Sequence, residues 1–246
     1  MNKSFVIIIP SRLASTRLPR KPLADIVGKS LINRVYERAI QSQARKVFVA
    51  TDEMEIFDHV STFSEDVIMT ASDHLSGTDR IHEAANFLNI EPDETIINLQ
   101  GDEPFIPIDL INNLSNDFIN SNCDVGTVIT EFNNNEDIDN PNTVKAVIST
   151  SNQALYFSRS RVPNNFTNTD QIFYRHIGIY AYKKSTLDRL VNLPTSNLEL
   201  AEKLEQLRFL ENGFTINTSI YNSNIPLGID TPDDLKEAID FINNAN

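Results

Sequence analysis

Three short stretches hold the residue types needed for chemistry on a charged, phosphate-bearing ligand. The first runs from Pro10 to Leu23 (P-S-R-L-A-S-T-R-L-P-R-K-P-L) and packs three arginines, a lysine, two serines and a threonine into fourteen residues. Guanidinium and ammonium groups offset phosphate charge, and the arginine fork meets phosphate oxygens in pairs. The stretch contains no glycine, so it is neither a Walker A loop nor a G-x-G-x-x-G turn. Side chains, Arg12, Arg17 and Lys21 in particular, must then do what backbone amides do in those loops. The second stretch is Asn98 to Pro104 (N-L-Q-G-D-E-P). An aspartate just past an apolar run, with Gly101 allowing close backbone approach, suits a divalent cation that also touches phosphate, which makes Asp102 a candidate metal ligand. The bland alternative is that Asp102 caps the next helix. The third stretch is Leu227 to Leu235 (L-G-I-D-T-P-D-D-L), in which Thr231 already provides a helix cap. Asp230 is left over as a second carboxylate able to reach the same cation.

Two further segments are polar amid apolar surroundings. Asp73 to Arg80 (D-H-L-S-G-T-D-R) precedes a helix, so Ser76 and Gly77 offer a hydroxyl and backbone amides at its N-terminus, or serve only as a cap. Arg175 to Tyr180 (R-H-I-G-I-Y) alternates, with His176, Gly178 and Tyr180 on one face and Arg175, Ile177 and Ile179 on the other. The first face suits a sugar or carboxylate lying against it. A lone strand histidine is more often structural, so His176 is not read as a catalytic base. No cluster of His and Cys has zinc spacing, and no G-x-S-x-G elbow supports a Ser-His-Asp arrangement.

These segments need elements to hold them. Phe5 to Ile9 is a continuous β-branched run ended by Pro10, the mark of a strand buried on both faces. A basic loop over residues 10–29 follows. Ser30 then caps a helix with Leu31, Ile32, Val35, Ala39 and Ile40 on one stripe. Strands over Lys46 to Ala50, Asp66 to Met69 and Thr95 to Leu99 alternate with helices over Glu53 to Ser61 and Thr78 to Leu88. Such alternation predicts βαβ units and a mostly parallel, doubly wound sheet of the α/β class. Beyond a helix at Pro107 to Asn120, strands are expected at Val125 to Phe132, Thr143 to Ser149, Ala154 to Ser158 and Phe173 to Tyr182. The Asn-rich stretches Asn133 to Asn142 and Pro163 to Thr169 are expected to be loops. Residues from about 125 to 183 read as a small mixed-sheet subdomain inserted into a single domain spanning 1–246. A helix over Leu198 to Asn212 stops before Gly213, a strand follows at Phe214 to Tyr221, and Thr231 caps a closing helix with Pro232 at its first position.

Composition narrows the partners. With 34 acidic against 21 basic residues the net charge is −13, which argues against binding nucleic acid or an anionic membrane by field alone. The charge is uneven: residues 1–46 carry ten basic and two acidic side chains, so the positive charge is gathered where the first motif lies. A lone cysteine, Cys123, gives no disulfide framework and points to a reducing compartment, and no apolar run is long enough to span a bilayer. The reading is a cytoplasmic protein.

Taken in order, these motifs, with Val49 to Asp52, Asn140 to Val144, Ala154 to Arg159 and Leu204 to Arg208, closely resemble those of the 3-deoxy-manno-octulosonate (Kdo) cytidylyltransferases. The resemblance covers nearly the whole chain. It implies a Rossmann-like nucleotide-diphospho-sugar transferase fold, Mg²⁺ dependence, and transfer of CMP from CTP to the anomeric hydroxyl of Kdo with release of diphosphate, for lipopolysaccharide synthesis. It further implies a homodimer whose contact includes the 125–183 subdomain. By the same resemblance Arg12, Arg17 and Lys21 hold the triphosphate, Asp102 and Asp230 hold Mg²⁺, and Pro10, Ser11, Ser76, Gly77 and Gln100 line the nucleotide side. Gln100 also nears the sugar, whose pocket is formed by Arg159, His176, Tyr180, Glu205 and Gln206. The alternatives are a cytidylyltransferase for another acidic sugar, 8-amino-Kdo or sialic acid, or a nucleotide-sugar-dependent glycosyltransferase, for which the expected D-x-D motif is missing from Asp102-Glu103. One departure stands out: the family reads R-L-P-G-K-P-L where this chain has Arg20, which alters the loop's conformation or adds charge near the pyrophosphate.

Overall fold

The computed structural model describes residues 5–132, 137–166, 172–223, 225 and 228–245. The chain forms two compact units, Met1–Asn112 with Asn224–Asn246, and Asn113–Ser223. The expected positions 133–136, 167–169 and Leu227 lie outside the described residues.

In the first unit, β1 (Phe5–Ser11) is the central strand, and Val6, Ile7, Ile8 and Ile9 are fully buried. Each of those side chains contributes about 1.5–3 kcal/mol by leaving water. Parallel neighbours flank it, β4 (Lys46–Thr51) on one side and β6 (Thr95–Asn98) on the other, with β5 (Val67–Met69) outside β4. The strand outlasts the expected stop at Pro10. Pairing with β6 ends at Ile8 while pairing with β4 continues to Ser11, so the proline sits where one edge is open and its missing N–H costs no ladder bond. Between strands come α1 (Leu31–Ala39), α2 (Met54–Ser61) and α3 (Gly77–Phe87), and α4 (Ile108–Asn120) follows β6. Two-residue strands β2 (Asp25–Ile26) and β3 (Lys29–Ser30) pair within the loop that the sequence left unstructured.

Ser30 caps α1 as expected, accepting from the Asn33 amide at 3.3 Å. Ile40, expected on the buried stripe, is instead 53% exposed. The helix ends at Ala39, so Ile40 is its C-cap and Tyr36 takes the buried place.

Chain order gives this parallel sheet a topological switch. The chain runs outward from β1 to β4 and β5, then returns to the opposite side of β1 for β6. The loops after β1 and β6 therefore diverge at their carboxyl ends, the position where open α/β sheets bind ligands.

The second unit carries a mixed sheet. Strands β7 (Val125–Glu131), β8 (Lys145–Ile148), β9 (Ala154–Ser158) and β10 (Tyr174–Lys183) pair antiparallel as β7 with β10, β10 with β8 and β8 with β9; β11 (Ile216–Ile220) adds to β7 in parallel. The strand β10 runs directly into α5 (Lys184–Leu190), which carries no capping side chain and was not expected from sequence. The single helix expected over Leu198 to Asn212 is broken into α6 (Asn197–Glu202) and α7 (Gln206–Glu211), with Lys203 left-handed at φ 55°. The cause is tertiary: Arg159 takes the backbone carbonyls of Glu202 (2.7 Å) and Lys203 (3.3 Å). Gly213, at φ 78°, ends α7 as expected. The closing helix α8 (Pro232–Ala245) belongs to the first unit, and Thr231 Oγ1 accepts the Asp234 amide at 3.2 Å while the Asp234 carboxylate takes the Thr231 amide at 2.7 Å. No helix among the described residues is long and apolar enough to cross a membrane.

Candidate active site

At the switch point of the first unit lies a cavity of about 360 Å³. Its walls come from the loop after β1 (Pro10, Ser11, Arg12, Arg17, Lys21), the start of α3 (Ser76, Gly77) and the loop after β6 (Gln100, Gly101, Asp102), with Asp230. Every residue expected on the triphosphate, nucleotide and metal side thus lines one cavity.

The centre of this site is an ammonium shared by two carboxylates. Lys21 Nζ donates to Asp102 Oδ2 at 2.7 Å and to Asp230 Oδ1 at 2.9 Å, while Arg17 reaches Asp230 Oδ2 at 3.0 Å. The spacing of 128 residues between the aspartates could not foretell this convergence; two backbone contacts create it. The Ile229 amide donates to the Asp102 carbonyl at 2.9 Å, and a Cβ at Gly228 would meet that same carbonyl at 3.3 Å and Glu103 Oε1 at 3.1 Å. Gly101 performs the matching task toward β1, since a Cβ there would lie 3.1 Å from the Pro10 carbonyl. Glycine at both positions lets these close approaches be made without crowding by a Cβ.

Electrostatics follow from this geometry. Burial by itself would push the Asp230 carboxyl up, but the Lys21 hydrogen bond and charge, aided by Arg17, hold it below the usual carboxylate range. Burial would likewise lower the Lys21 ammonium, and Asp102 followed by Asp230 raises it instead. The Asp230 carboxylate stays charged at neutral pH, and so does the lysine. A divalent cation fits this donor set: two carboxylate oxygens already converge on one positive centre, and Mg²⁺ needs only one or two carboxylates when phosphates and water complete its shell.

The other lining groups have defined partners. Ser76 caps α3 reciprocally, its Oγ accepting the Asp79 amide at 3.2 Å and donating to Asp79 Oδ2 at 2.9 Å. The same serine thus caps the helix and lines the cavity. Gln100 Nε2 donates to Asn98 Oδ1 at 2.9 Å. The Ser11 hydroxyl is buried, with no hydrogen-bond partner among the described residues. Sequence reasoning overlooked Arg80 and His74, which also line the cavity. Arg80 is 3% exposed and pairs with Asp52 at 2.9 Å and Thr70 Oγ1 at 2.6 Å; His74 contacts Glu83, which also takes the Ala71 amide at 2.8 Å. The motifs Val49 to Asp52 and Asp73 to Arg80 contained these residues, but only their pairing reveals the role.

Arg20 answers both questions raised by its departure from the family pattern. It adopts the left-handed conformation (φ 57°, ψ 30°) that glycine takes freely, so the backbone path is kept at a cost of about 1–2 kcal/mol. Its guanidinium pairs with Glu55 at the start of α2 and does not line the cavity. Replacing Arg20 by glycine should accordingly leave the KM for a nucleotide substrate within about threefold; a rise above tenfold would show that the charge serves the cavity.

In the second unit two of the residues expected at a sugar pocket, His176 and Tyr180, lie on β10, and Glu205 lies near the Tyr180 phenol. His176 Nε2 lies 2.9 Å from Thr127 Oγ1, and its ring is edge-on to Phe157 (centroids 4.8 Å apart) and tilted to Tyr180 (5.5 Å). Thr127 in turn donates to the Ile179 carbonyl at 2.8 Å, across a register shift between Ile177 and Tyr180, so the histidine must be the donor to the threonine. Burial pushes His176 down to about 3 and raises the Tyr180 phenol, near which Glu205 also lies. The imidazole is therefore neutral at physiological pH, in accord with its reading as a structural residue. Between pH 6.5 and about 3 the unfolded chain would bind a proton here that the folded chain refuses, so stability falls with pH across that window. The variant His176→Gln should flatten that dependence in denaturation measured from pH 7 to 4; an unchanged slope would disprove it. Gln206 is 3% exposed and its Nε2 has no partner among the described residues, whereas Arg159 spends donors on the carbonyls of Pro141, Glu202 and Lys203.

Residues 6–219 match the model of the Cytidylyltransferase family. The chain belongs to this family. The closer resemblance drawn from its motifs is borne out as well, since relatives named 3-deoxy-manno-octulosonate cytidylyltransferase match this cytidylyltransferase over almost its full length. One from Parabacteroides distasonis is 43% identical and covers 98% of each chain; one from Saccharophagus degradans is 45% identical over 94% of this chain and 96% of its own. Among solved structures, a CMP:2-keto-3-deoxy-manno-octonic acid synthetase complexed with CTP superposes with a TM-score of 0.92 at 40% identity, covering 99% of this chain and 100% of that one. HddC from Yersinia pseudotuberculosis, at 16% identity and a TM-score of 0.69 over 97% of this cytidylyltransferase and 99% of its own chain, shares the fold alone.

Proposed function

We propose that this cytidylyltransferase transfers CMP from CTP to the anomeric hydroxyl of Kdo, giving CMP-Kdo and diphosphate. The observation that carries the reading is the Lys21 knot at the switch point, where three cationic loop residues and two carboxylates surround one cavity. The names of its relatives and the CTP complex of a similar protein support the choice of nucleotide and sugar.

The anomeric oxygen attacks the α-phosphorus, the bond from that phosphorus to the β-bridging oxygen breaks, diphosphate leaves, and the hydroxyl proton is lost to water. The protein's contribution is positioning and charge. Arg12, Arg17 and Lys21 would lie along the triphosphate and offset the charge that grows on the leaving diphosphate. Ser76 and Gly77 would face the base, with Pro10 and Ser11 beside the nucleotide. Asp102 and Asp230 would hold Mg²⁺, which when bound neutralises phosphate charge and lowers the pKa of the attacking hydroxyl. No histidine base is then required, in keeping with a neutral His176. Gln100 would sit between nucleotide and sugar, and Arg159, His176, Tyr180, Glu205 and Gln206 would surround Kdo. The wider reading is a cytoplasmic homodimer serving lipopolysaccharide synthesis, with the 125–183 subdomain at the sugar and the dimer contact.

Diphosphate release measured with CTP and Mg²⁺ against Kdo, 8-amino-Kdo and sialic acid tests this reading. Release should require Kdo and stop with EDTA. Faster release with either other sugar would overturn the choice of acceptor.

A further inference from the structure

Lys145, the first residue of β8, has a relative exposure of 0% and plays no part in the reaction as derived above. A buried ammonium is costly unless every N–H finds an acceptor. Here each does: Nζ donates to the backbone carbonyls of Asn140 (2.8 Å), Thr143 (2.8 Å) and Arg159 (2.6 Å). Three donors meet three carbonyls, in the way a monovalent cation is caged, and the cage joins the 140–143 loop to the residue that follows β9. Arg159 carries the linkage onward. Its Nη1 donates to the Pro141 carbonyl at 2.9 Å, and Nε and Nη2 take the Glu202 and Lys203 carbonyls that end α6. Glu202 returns the contact, accepting the Arg159 amide at 2.9 Å and the Ser158 hydroxyl at 2.7 Å. Just beyond this splice, and after the left-handed Lys203, come Glu205 and Gln206.

We infer that Lys145 is a positioning residue for the acceptor sugar: its caged ammonium fixes Arg159, and through Arg159 the Lys203 turn that delivers Glu205 and Gln206. The inference rests on the proposed reading that these residues face Kdo. A displacement of about 1 Å in such groups is enough for a 10²-fold effect.

The variant Lys145→Met keeps the side chain's length and removes its charge. It should raise the KM for Kdo by roughly 10–100-fold and leave the KM for CTP within about threefold. Equal changes in both constants, or in neither, would overturn the inference. Should that variant not fold, Glu202→Gln weakens the same splice at its far end, and the same selective rise in the KM for Kdo is expected. Amide exchange provides a readout independent of turnover. The amides of Arg159, Leu207 and Arg208 should exchange faster in Lys145→Met while those of Val49 and Leu99 do not; unchanged protection at the first three defeats the claim. If the wild type fails to release diphosphate with Kdo, the functional reading falls, and the exchange result alone decides the positioning claim.

Discussion

The substitution Asp102→Asn is expected to lower turnover by about 10³-fold, or roughly 4 kcal/mol in the activation barrier, with the fold unchanged. Asparagine has the same shape and keeps one oxygen for Lys21, so neither packing nor the 2.7 Å contact geometry should be lost. What is lost is one of the two negative charges that converge on the shared ammonium. A cation at that point would be held by Asp230 alone, and its polarising effect on phosphate and sugar hydroxyl would fall with its occupancy. Initial rates with CTP and Kdo across a Mg²⁺ series, alongside a thermal melt, test this. Turnover within tenfold of wild type at low Mg²⁺ would remove Asp102 from the metal site.

Lys21→Met should cost roughly 10²–10³-fold in kcat/KM, the loss typical when one preorganised cationic or donor group is removed from developing charge. It has a second, separately measurable consequence. Asp230 owes its depressed ionisation first to the Lys21 hydrogen bond, which opposes the upward push of burial. A carboxylate whose folded pKa is depressed contributes stability above its unfolded value of about 3.9, and that contribution is lost as pH falls through the folded value. Without Lys21, burial is opposed by Arg17, so Asp230 should titrate at higher pH and the stability it loses on acidification should shrink. Because Asp230 is 45% exposed, the effect on stability is small, and an NMR titration of its carboxyl carbon is the appropriate measurement. An unshifted titration would mean that the lysine does not set the charge state of the pair.

The parts of this molecule legible in its sequence are those fixed by local chemistry. The apolar run of β1, the Ser30 and Thr231 caps, and the alternation of β10 each follow from periodicity or a single side chain. What escaped notice depends on distant residues. The break at Lys203 comes from an arginine more than forty positions earlier taking two helix carbonyls. The Arg80 and Asp52 pair joins residues that periodicity assigns to separate elements. The site was readable as residue types, since three cations, an aspartate after a strand and a spare aspartate before a helix name a phosphate and metal chemistry. Their meeting point was not, because it is set by the two glycine approaches and by the return of β6 to the far side of β1.

The first unit is interrupted in sequence, with residues 113–223 made between its two parts. Its parallel sheet can form while the chain is still being synthesised, but Asp230 arrives last. At about 5–20 residues per second, a nascent chain spends roughly six to twenty-four seconds between residue 112 and residue 230 with Lys21 and Asp102 in place and no second carboxylate. Ribosome-arrested chains ending at residue 223 should fold the sheet yet form no product. On the proposed roles, the order of synthesis acts as a timer that withholds the second carboxylate until the segment carrying Asp230 has been made.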